Sequence, residues 1–293
     1  MRKILSLMLA VSLLLGLGTA FAQTAPTEIV FWHSMGGVNG EAIAKMVEDF
    51  NQAFDGKIKV TVEYQGTYDD AINKIKAAGM SALPCDVVQV YDIGSRFMID
   101  SGWALPMQEM IDGEGYDISQ VEPNIAAYYT IDGKLYSMPF NSSTPLLYYN
   151  KTAFDEAGIT EVPTTVDGIL AIAEKLATFD KDGKLDRAGF LFSNYGWFFE
   201  QWTGKMGRQY VNNGNGRESY ATAVAFDENG AALDLFNMWK KISESPYTSY
   251  IERGGTAQAR AAFVAGKTAI FLASTANLAG VLANVGDSRS LAR

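Results

Sequence analysis

Short β-rich runs and helix-spaced apolar stripes follow one another from Glu28 to Asp100, and that alternation of elements restricts the chain to an α/β architecture. Glu28-Ile29-Val30-Phe31-Trp32 is a short apolar, β-rich run without helical period. Glu41 to Phe54 then places Ile43, Met46, Val47 and Phe50 at spacings of three and four, the pattern of an amphipathic helix. Lys57 to Tyr64 sets Ile58, Val60, Val62 and Tyr64 on one face of a second strand, and Tyr68 to Met80 reads as the next helix. Asp86 to Asp92 is a third strand and Ile93 to Asp100 the helix after it. Strands separated by helices pair in parallel. The loops after their carboxyl ends therefore share one rim, where open α/β sheets bind ligands. Those loops hold His33 and Ser34, Gly66 to Tyr68, and Asp92 to Gly94.

Lys134 to Asn150 differs in kind. Two extended runs, Leu135-Tyr136-Ser137-Met138-Pro139-Phe140 and Leu146-Leu147-Tyr148-Tyr149-Asn150, flank a polar elbow, Asn141-Ser142-Ser143-Thr144-Pro145, which suits a crossing between lobes. A second α/β lobe opens with a helix through Phe179, capped by Thr164 or Thr165 and turning Ile169, Ile172, Ala173 and Leu176 inward. Asp180-Lys181-Asp182-Gly183-Lys184-Leu185-Asp186 offers three carboxylates and a glycine, but it lacks the EF-hand ligands at loop positions five and twelve, so a solvated turn is expected. Ala259 to Phe263 ends a helix and Thr268 to Leu272 is a buried strand. It runs into the polar Ala273-Ser274-Thr275-Ala276-Asn277, opening a helix near Leu278 whose backbone N–H groups favour anions.

The amino end speaks to the compartment. Arg2 and Lys3 precede an apolar run from Ile4 to Leu17, closed by Ala20-Phe21-Ala22, the form of a secretory signal peptide cleaved near Ala22. No later apolar stretch reaches the ~20 residues of a membrane span. The only cysteine, Cys85, lies far from the expected cleavage site, which excludes lipid attachment there, an intrachain disulfide and multi-cysteine metal sites. It precedes an apolar strand and is expected to be buried and inert. A net charge of −9 argues against nucleic acid or anionic membrane as partner.

Enzymatic chemistry has little to work with. With one histidine, His33, a Ser-His-Asp or Cys-His mechanism has a single possible base, and catalytic zinc sites, which usually take two or more histidines, cannot be built. His33 sits beside Trp32 at a strand end, a place for a hydrogen-bonded structural imidazole. Neither a phosphate-binding loop nor a nucleophile elbow is present. A carboxylate-only hydrolase is the enzyme reading that stays open.

Phe31-Trp32-His33-Ser34-Met35, Gln89-Val90-Tyr91-Asp92 and Phe140-Asn141-Ser142-Ser143-Thr144-Pro145-Leu146-Leu147-Tyr148-Tyr149-Asn150-Lys151 together resemble the extracellular solute-binding proteins of ABC importers, of the sugar and glycerol-phosphate type. The resemblance runs from about residue 28 to about residue 280. It implies a two-lobed, type II α/β fold, each lobe a mostly parallel sheet flanked by helices, with ligand held in an inter-lobe cleft. The implied segments are a signal peptide (1–22), the first lobe (23–133), a crossover (134–150), the second lobe (151–266), and a second crossover returning to the first lobe (267–293). Past Leu282 the polar tail Gly286 to Ala292 departs from the family, whose members continue, which implies a truncated or frameshifted end and an incomplete second lobe.

Carried over by position, the implied ligand contacts are Tyr68, Asp92, Ser143, Ser274 and Trp197, with His33, Ser34, Ser142 and Asn194 as secondary candidates. Asp92 stands where a close relative carries glutamate, drawing the carboxylate back by about one methylene, and Asn194 replaces a family tryptophan. The resemblance implies capture of sn-glycerol 3-phosphate or a related polyol phosphate, with a neutral mono- or oligosaccharide as the alternative. It also implies delivery to ABC permease subunits by a periplasmic monomer that uses no cofactor or metal and has no catalytic residue.

Overall fold

The structure, a computed structural model, describes residues 25–79, 82–251 and 255–285. The expected signal peptide and the tail from Gly286 lie outside them. The chain forms two compact units that divide between Ala104 and Leu105.

The first unit is the predicted strand–helix alternation: β1 (Thr27–His33), α1 (Gly37–Ala53), β2 (Ile58–Tyr64), α2 (Tyr68–Ala78), β3 (Val87–Val88), a 3-10 turn (Asp92–Gly94) and α3 (Ser95–Ser101). The sheet order is β2-β1-β3, parallel throughout, with Phe31 opposite both Val62 and Val87. Trp32, Ile43, Ala71, Ile72 and Ile75 are buried.

Three expectations are corrected here. The third strand is two residues long, because after Gln89 N–H bonds to Trp32 O the chain turns into the 3-10 segment. The helix expected from Ile93 starts at Ser95 for the same reason. In α1, Met46 and Phe50 face solvent. The cause is Asn51, whose side-chain amide bonds both the N–H and the carbonyl of Val60 at 2.7 and 2.9 Å. This turns the Ile43-Val47-Asn51 face toward β2 and leaves Phe50 stacked on Phe54.

Helix α2 starts on a full capping box. Thr67 Oγ1 accepts from Asp70 N–H at 3.1 Å, and the Asp70 carboxylate accepts from Thr67 N–H at 2.8 Å, which holds the Asp70 carboxyl below its ordinary pKa. Thr67→Ala is expected to cost about 1 kcal/mol, read as a lower urea midpoint. An unchanged midpoint would show that the cap is redundant.

Cys85 is half-buried, and burial, followed by the charges of Asp86 and Glu63, pushes its thiol up to about 11. The thiolate is the reactive form. Alkylation by iodoacetamide at pH 8 should therefore run far slower than for a free cysteine, and rise steeply only as pH approaches that value. Labelling at the free-thiol rate would refute this.

The second unit contains α4 (Met107–Glu114), α5 (Pro123–Tyr129), β4 (Thr130–Ile131), β5 (Lys134–Leu135), β6 (Pro145–Tyr149), α6 (Lys151–Glu156), α7 (Val166–Leu176), β7 (Thr178–Phe179), β8 (Leu185–Arg187), β9 (Phe190–Ser193), α8 (Gly196–Lys205), α9 (Ala231–Glu244), β10 (Thr248–Ile251), α10 (Thr256–Val264), β11 (Ile270–Ser274), a 3-10 turn (Thr275–Asn277) and α11 (Leu278–Leu282). Its main sheet runs β10-β9-β11-β6, parallel except for the antiparallel β11–β6 pair. Leu176, Phe190, Phe198, Leu235, Ile242, Ile270 and Phe271 are completely or almost completely buried.

Thr165 caps α7 by accepting from Gly168 N–H at 3.1 Å, and Ile169, Ala173 and Leu176 point inward as expected, with Ile172 only partly covered. The helix stops at Leu176 instead of Phe179, because Thr178 and Phe179 pair with Arg187 and Leu185 as a small hairpin. The expected turn at its tip forms, with Asp180 Oδ1 accepting from Asp182 and Lys184 N–H. The extended run expected from Leu135 to Phe140 forms strand only at Lys134–Leu135. Tyr136 instead bonds Tyr129 and Met107 through its backbone, and Pro139 has no N–H to give.

Candidate functional site

Each unit carries part of the predicted site. On the first, Tyr68 is the first residue of α2, so the capping box fixes its backbone. Its ring stacks on Tyr91 at 5.4 Å and 16°, and the Tyr91 hydroxyl donates to Asp69 Oδ1 at 2.8 Å. Asp92 follows Tyr91 in the 3-10 turn, and no hydrogen bond or ion pair among the described residues engages its carboxylate.

His33 closes β1 and Ser34 opens the loop after it. Ser34 N–H donates to the buried Gln89 side chain at 2.9 Å, and Ser34 Oγ donates to Thr67 O at 3.3 Å. His33 is buried against Phe31 and Tyr64, and its Nδ1 accepts from Met35 N–H at 3.3 Å. Burial lowers its pKa, so the ring is neutral near pH 7. An open groove of about 580 Å³ lies alongside, lined by Tyr64, Gln65, Gly66, Asp70, Asn73 and Lys74.

On the second unit the structure joins Ser143 to Ser274. They come from opposite ends of the chain's second half and meet where β6 and β11 pair, with Pro145 opposite Ser274. Thr144 N–H donates to Thr275 Oγ1 and Thr275 N–H donates to Thr144 O, at 3.3 and 2.9 Å. Ser274 Oγ accepts from Ala276 N–H at 3.1 Å and donates to Ser143 Oγ at 2.9 Å. A serine hydroxyl has one proton. Ser274 spends its proton on Ser143, and no acceptor among the described residues takes the proton of Ser143. The pair therefore offers an outward donor at Ser143.

The helix expected near Leu278 does start there, as α11. The segment first makes a 3-10 turn, and the Ala276 N–H is consumed by Ser274. Ser142 is exposed next to Ser143. Trp197 is half-buried at the start of α8, edge-on to Phe198 at 5.1 Å and packed against the core that holds Phe190 and Ile270. Asn194 is exposed one residue past β9, its backbone N–H bonded to Ile251 O at 2.8 Å. Its amide and the Trp197 ring are not in contact with the serine pair by any hydrogen bond among the described residues.

Residues not foreseen as part of the site are Gln89, Tyr91 and Asn277. Tyr91 stood inside a quoted motif, but its stack with Tyr68 joins positions 23 apart, which no local spacing reveals. Gln89 and Asn277 are polar yet only 7 % exposed. A polar residue closing an apolar strand was the only hint. Among the described residues no group of three or more His, Cys, Asp or Glu side chains gathers as a metal site. No described helix is long and apolar enough to cross a membrane.

A family model described as bacterial extracellular solute-binding protein matches residues 45–290. The chain is 37 % identical over 177 residues to the sn-glycerol-3-phosphate-binding periplasmic protein UgpB of Rhizobium meliloti, an alignment covering 58 % of this chain and 41 % of the relative. Against the protein of the same name in Brucella abortus it is 32 % identical over 284 residues, 93 % of this chain and 62 % of the relative. The chain thus spans about two fifths to three fifths of these relatives' length. Among solved structures, UgpB from Mycobacterium tuberculosis in complex with glycerophosphocholine superposes with a TM-score of 0.75 at 23 % identity, covering 92 % of this chain and 65 % of that one. The GacH receptor of Streptomyces glaucescens, solved unliganded and with acarbose, gives 0.74 at 20 %, covering 91 % and 66 %. At those identities the likeness is one of fold.

Proposed function

This chain belongs to the bacterial extracellular solute-binding proteins, and from that premise we propose that it captures a polyol phosphate, sn-glycerol 3-phosphate or a close relative, and releases it unchanged to an ABC permease. Tyr68 and Asp92 of the first unit, and Ser143, Ser274 and Trp197 of the second, are the proposed contacts. His33, Ser34, Ser142 and Asn194 shape their surroundings. Residues 134–150 and 267–293 are the proposed crossovers between lobes, and the protein acts as a periplasmic monomer after signal-peptide removal.

The observation that carries the reading is the Ser274-to-Ser143 hydroxyl chain, which presents a donor to the ligand. Donors suit the acceptor-only oxygens of a phosphate ester, whereas the Asp92 carboxylate suits the hydroxyls of a polyol. The names of the relatives, glycerol-phosphate binders, favour the same chemistry. His33 is held by Met35 N–H and neighbours no serine by any hydrogen bond among the described residues.

A neutral sugar is the second reading. The Tyr68–Tyr91 stack favours it, since aromatic faces pack on the apolar faces of sugar rings, and the structural neighbours include an acarbose receptor. Calorimetric titration with sn-glycerol 3-phosphate, with and without excess inorganic phosphate, separates the two. Saturable heat that phosphate suppresses supports the polyol phosphate. Heat only with an oligosaccharide supports the sugar. Recovery of the ligand chemically altered after long incubation would overturn the binding reading in favour of a hydrolase.

A further inference from the structure

Asn141 to Asn150 and Ile270 to Val285 contain no Asp, Glu, Lys or Arg, so the serine pair has no charge of its own from either strand. Tertiary structure brings one. Arg260, on α10, donates from Nη1 to Asn277 Oδ1 at 3.4 Å, and Asn277 Nδ2 donates to Ser274 O at 3.4 Å. Asn277 is buried, so this amide is a fixed link between the guanidinium and the backbone of Ser274.

The arrangement depends on Gly280. A Cβ there would stand 2.9 Å from Arg260 Nη1, 3.2 Å from Cζ and 3.4 Å from Cδ. The guanidinium therefore lies close against α11, where a side chain at position 280 would displace it. Arg260 is half-buried, and no carboxylate among the described residues pairs with it. A cation in that position raises the local potential and gains from a counter-charge. The first unit has the opposite character. Asp69, Asp70 and Asp92 crowd its rim, and Lys74 there is bonded to both oxygens of Gln65.

We propose that Arg260 is a specificity-determining residue, biasing the Ser143–Ser274 pair toward an anionic group over a neutral polyol. The proposal rests on the solute-binding reading above, and Arg260 acts through the field it sets and through Asn277, without touching the ligand. Gln at this position keeps a donor for Asn277 but removes the charge, whereas Lys keeps the charge but loses the planar fork.

The test is titration of wild type, Arg260→Gln, Arg260→Lys and Gly280→Ala with sn-glycerol 3-phosphate, at about 0.1 and about 1 M salt, across which the screening length falls from ~10 to ~3 Å. Arg260→Gln should bind about tenfold more weakly and lose most of its salt sensitivity. Arg260→Lys should stay within about threefold of wild type. Gly280→Ala, which displaces the guanidinium without removing it, should fall between. Thermal melts identify any variant that fails to fold, and agreement between the remaining two then decides.

Arg260→Gln with wild-type affinity and salt response would overturn the proposal while leaving the solute-binding reading intact. Arg260→Lys as weak as Arg260→Gln would also overturn it, because shape and not charge would then matter. A wild-type chain that ignores the phosphate ester but binds a neutral sugar would overturn both this role and the ligand proposed above.

Discussion

Gly189→Ala is expected to destabilise the second unit by about 3 kcal/mol, the upper part of the range for overpacking a close-packed core. Gly189 lies between the Ala188–Thr268 bridge and β9, and it is buried. A Cβ there would come within 2.2 Å of Ala173 O and 2.6 Å of Ala173 Cα. Both are helix backbone in α7, where Ala173 is itself completely buried. A long side chain could swing away, but a helix cannot.

Relief would require α7 to lift from the sheet, exposing Ile169 and Leu176, or β9 to shift and weaken the bonds from Gly189 N–H to Tyr247 O and from Ala188 N–H to Lys267 O, each of 2.8 to 2.9 Å. Urea denaturation followed by tryptophan fluorescence measures the loss, since Trp202 and Trp239 pack in the same aromatic cluster as Phe192. Gly196→Ala, where a Cβ meets nothing within 4 Å, is the control and should move stability by less than about 0.5 kcal/mol. Equal midpoints for the two variants would mean that the helix–sheet spacing is softer than the close packing implies.

That contact also shows where sequence reading stops. The β-rich runs at Glu28 and Lys57, the helical stripe of α7 and its Thr165 cap were legible because each is written in neighbouring residues. The boundary errors came from partners far away. Phe50 faces solvent because Asn51 reaches across to Val60, and the third strand ends early because Gln89 is drawn to Trp32 and Ser34. Asn51 and Gln89 are local, but the partners that decide their effect lie nine and more than fifty positions away.

The site divides along the same line. Residue types were readable: a tyrosine opening a helix, an acid past a strand, serines in polar turns. Their pairing was not. Ser143 and Ser274 stand 131 positions apart, and only the antiparallel register of β6 with β11 makes them neighbours. Arg260 had no local signal at all, since a charge on a helix is ordinarily a solvated one. Its significance comes from Gly280, twenty positions later, leaving the space it occupies.

Ser143→Ala is expected to weaken binding of sn-glycerol 3-phosphate about 30-fold, within the ~1.5–3 kcal/mol that hydrogen bonds to charged groups contribute. Its hydroxyl is exposed, so the substitution leaves no buried polar group unpaired and stability should hold. Ser274→Ala acts differently. It removes the donor that orients the Ser143 hydroxyl and the acceptor that caps Ala276, yet Ser143 can still rotate to give its proton to the ligand. A loss of about fivefold is expected, since the site loses preorganisation but keeps the contact.

If the chain of hydroxyls works as one unit, with Ser274 serving the ligand only through Ser143, the double variant will be no weaker than Ser143→Ala alone, because Ser274 has nothing left to orient. Calorimetric titration of the three variants gives the coupling directly. Additive losses would mean that each serine meets the ligand separately, and the Ser274-to-Ser143 bond would then describe the empty site only. A Ser143→Ala variant that binds as wild type would remove the serine pair from the site altogether and shift the weight of recognition to Tyr68 and Asp92, where an acidic rim favours a neutral, hydroxyl-bearing ligand.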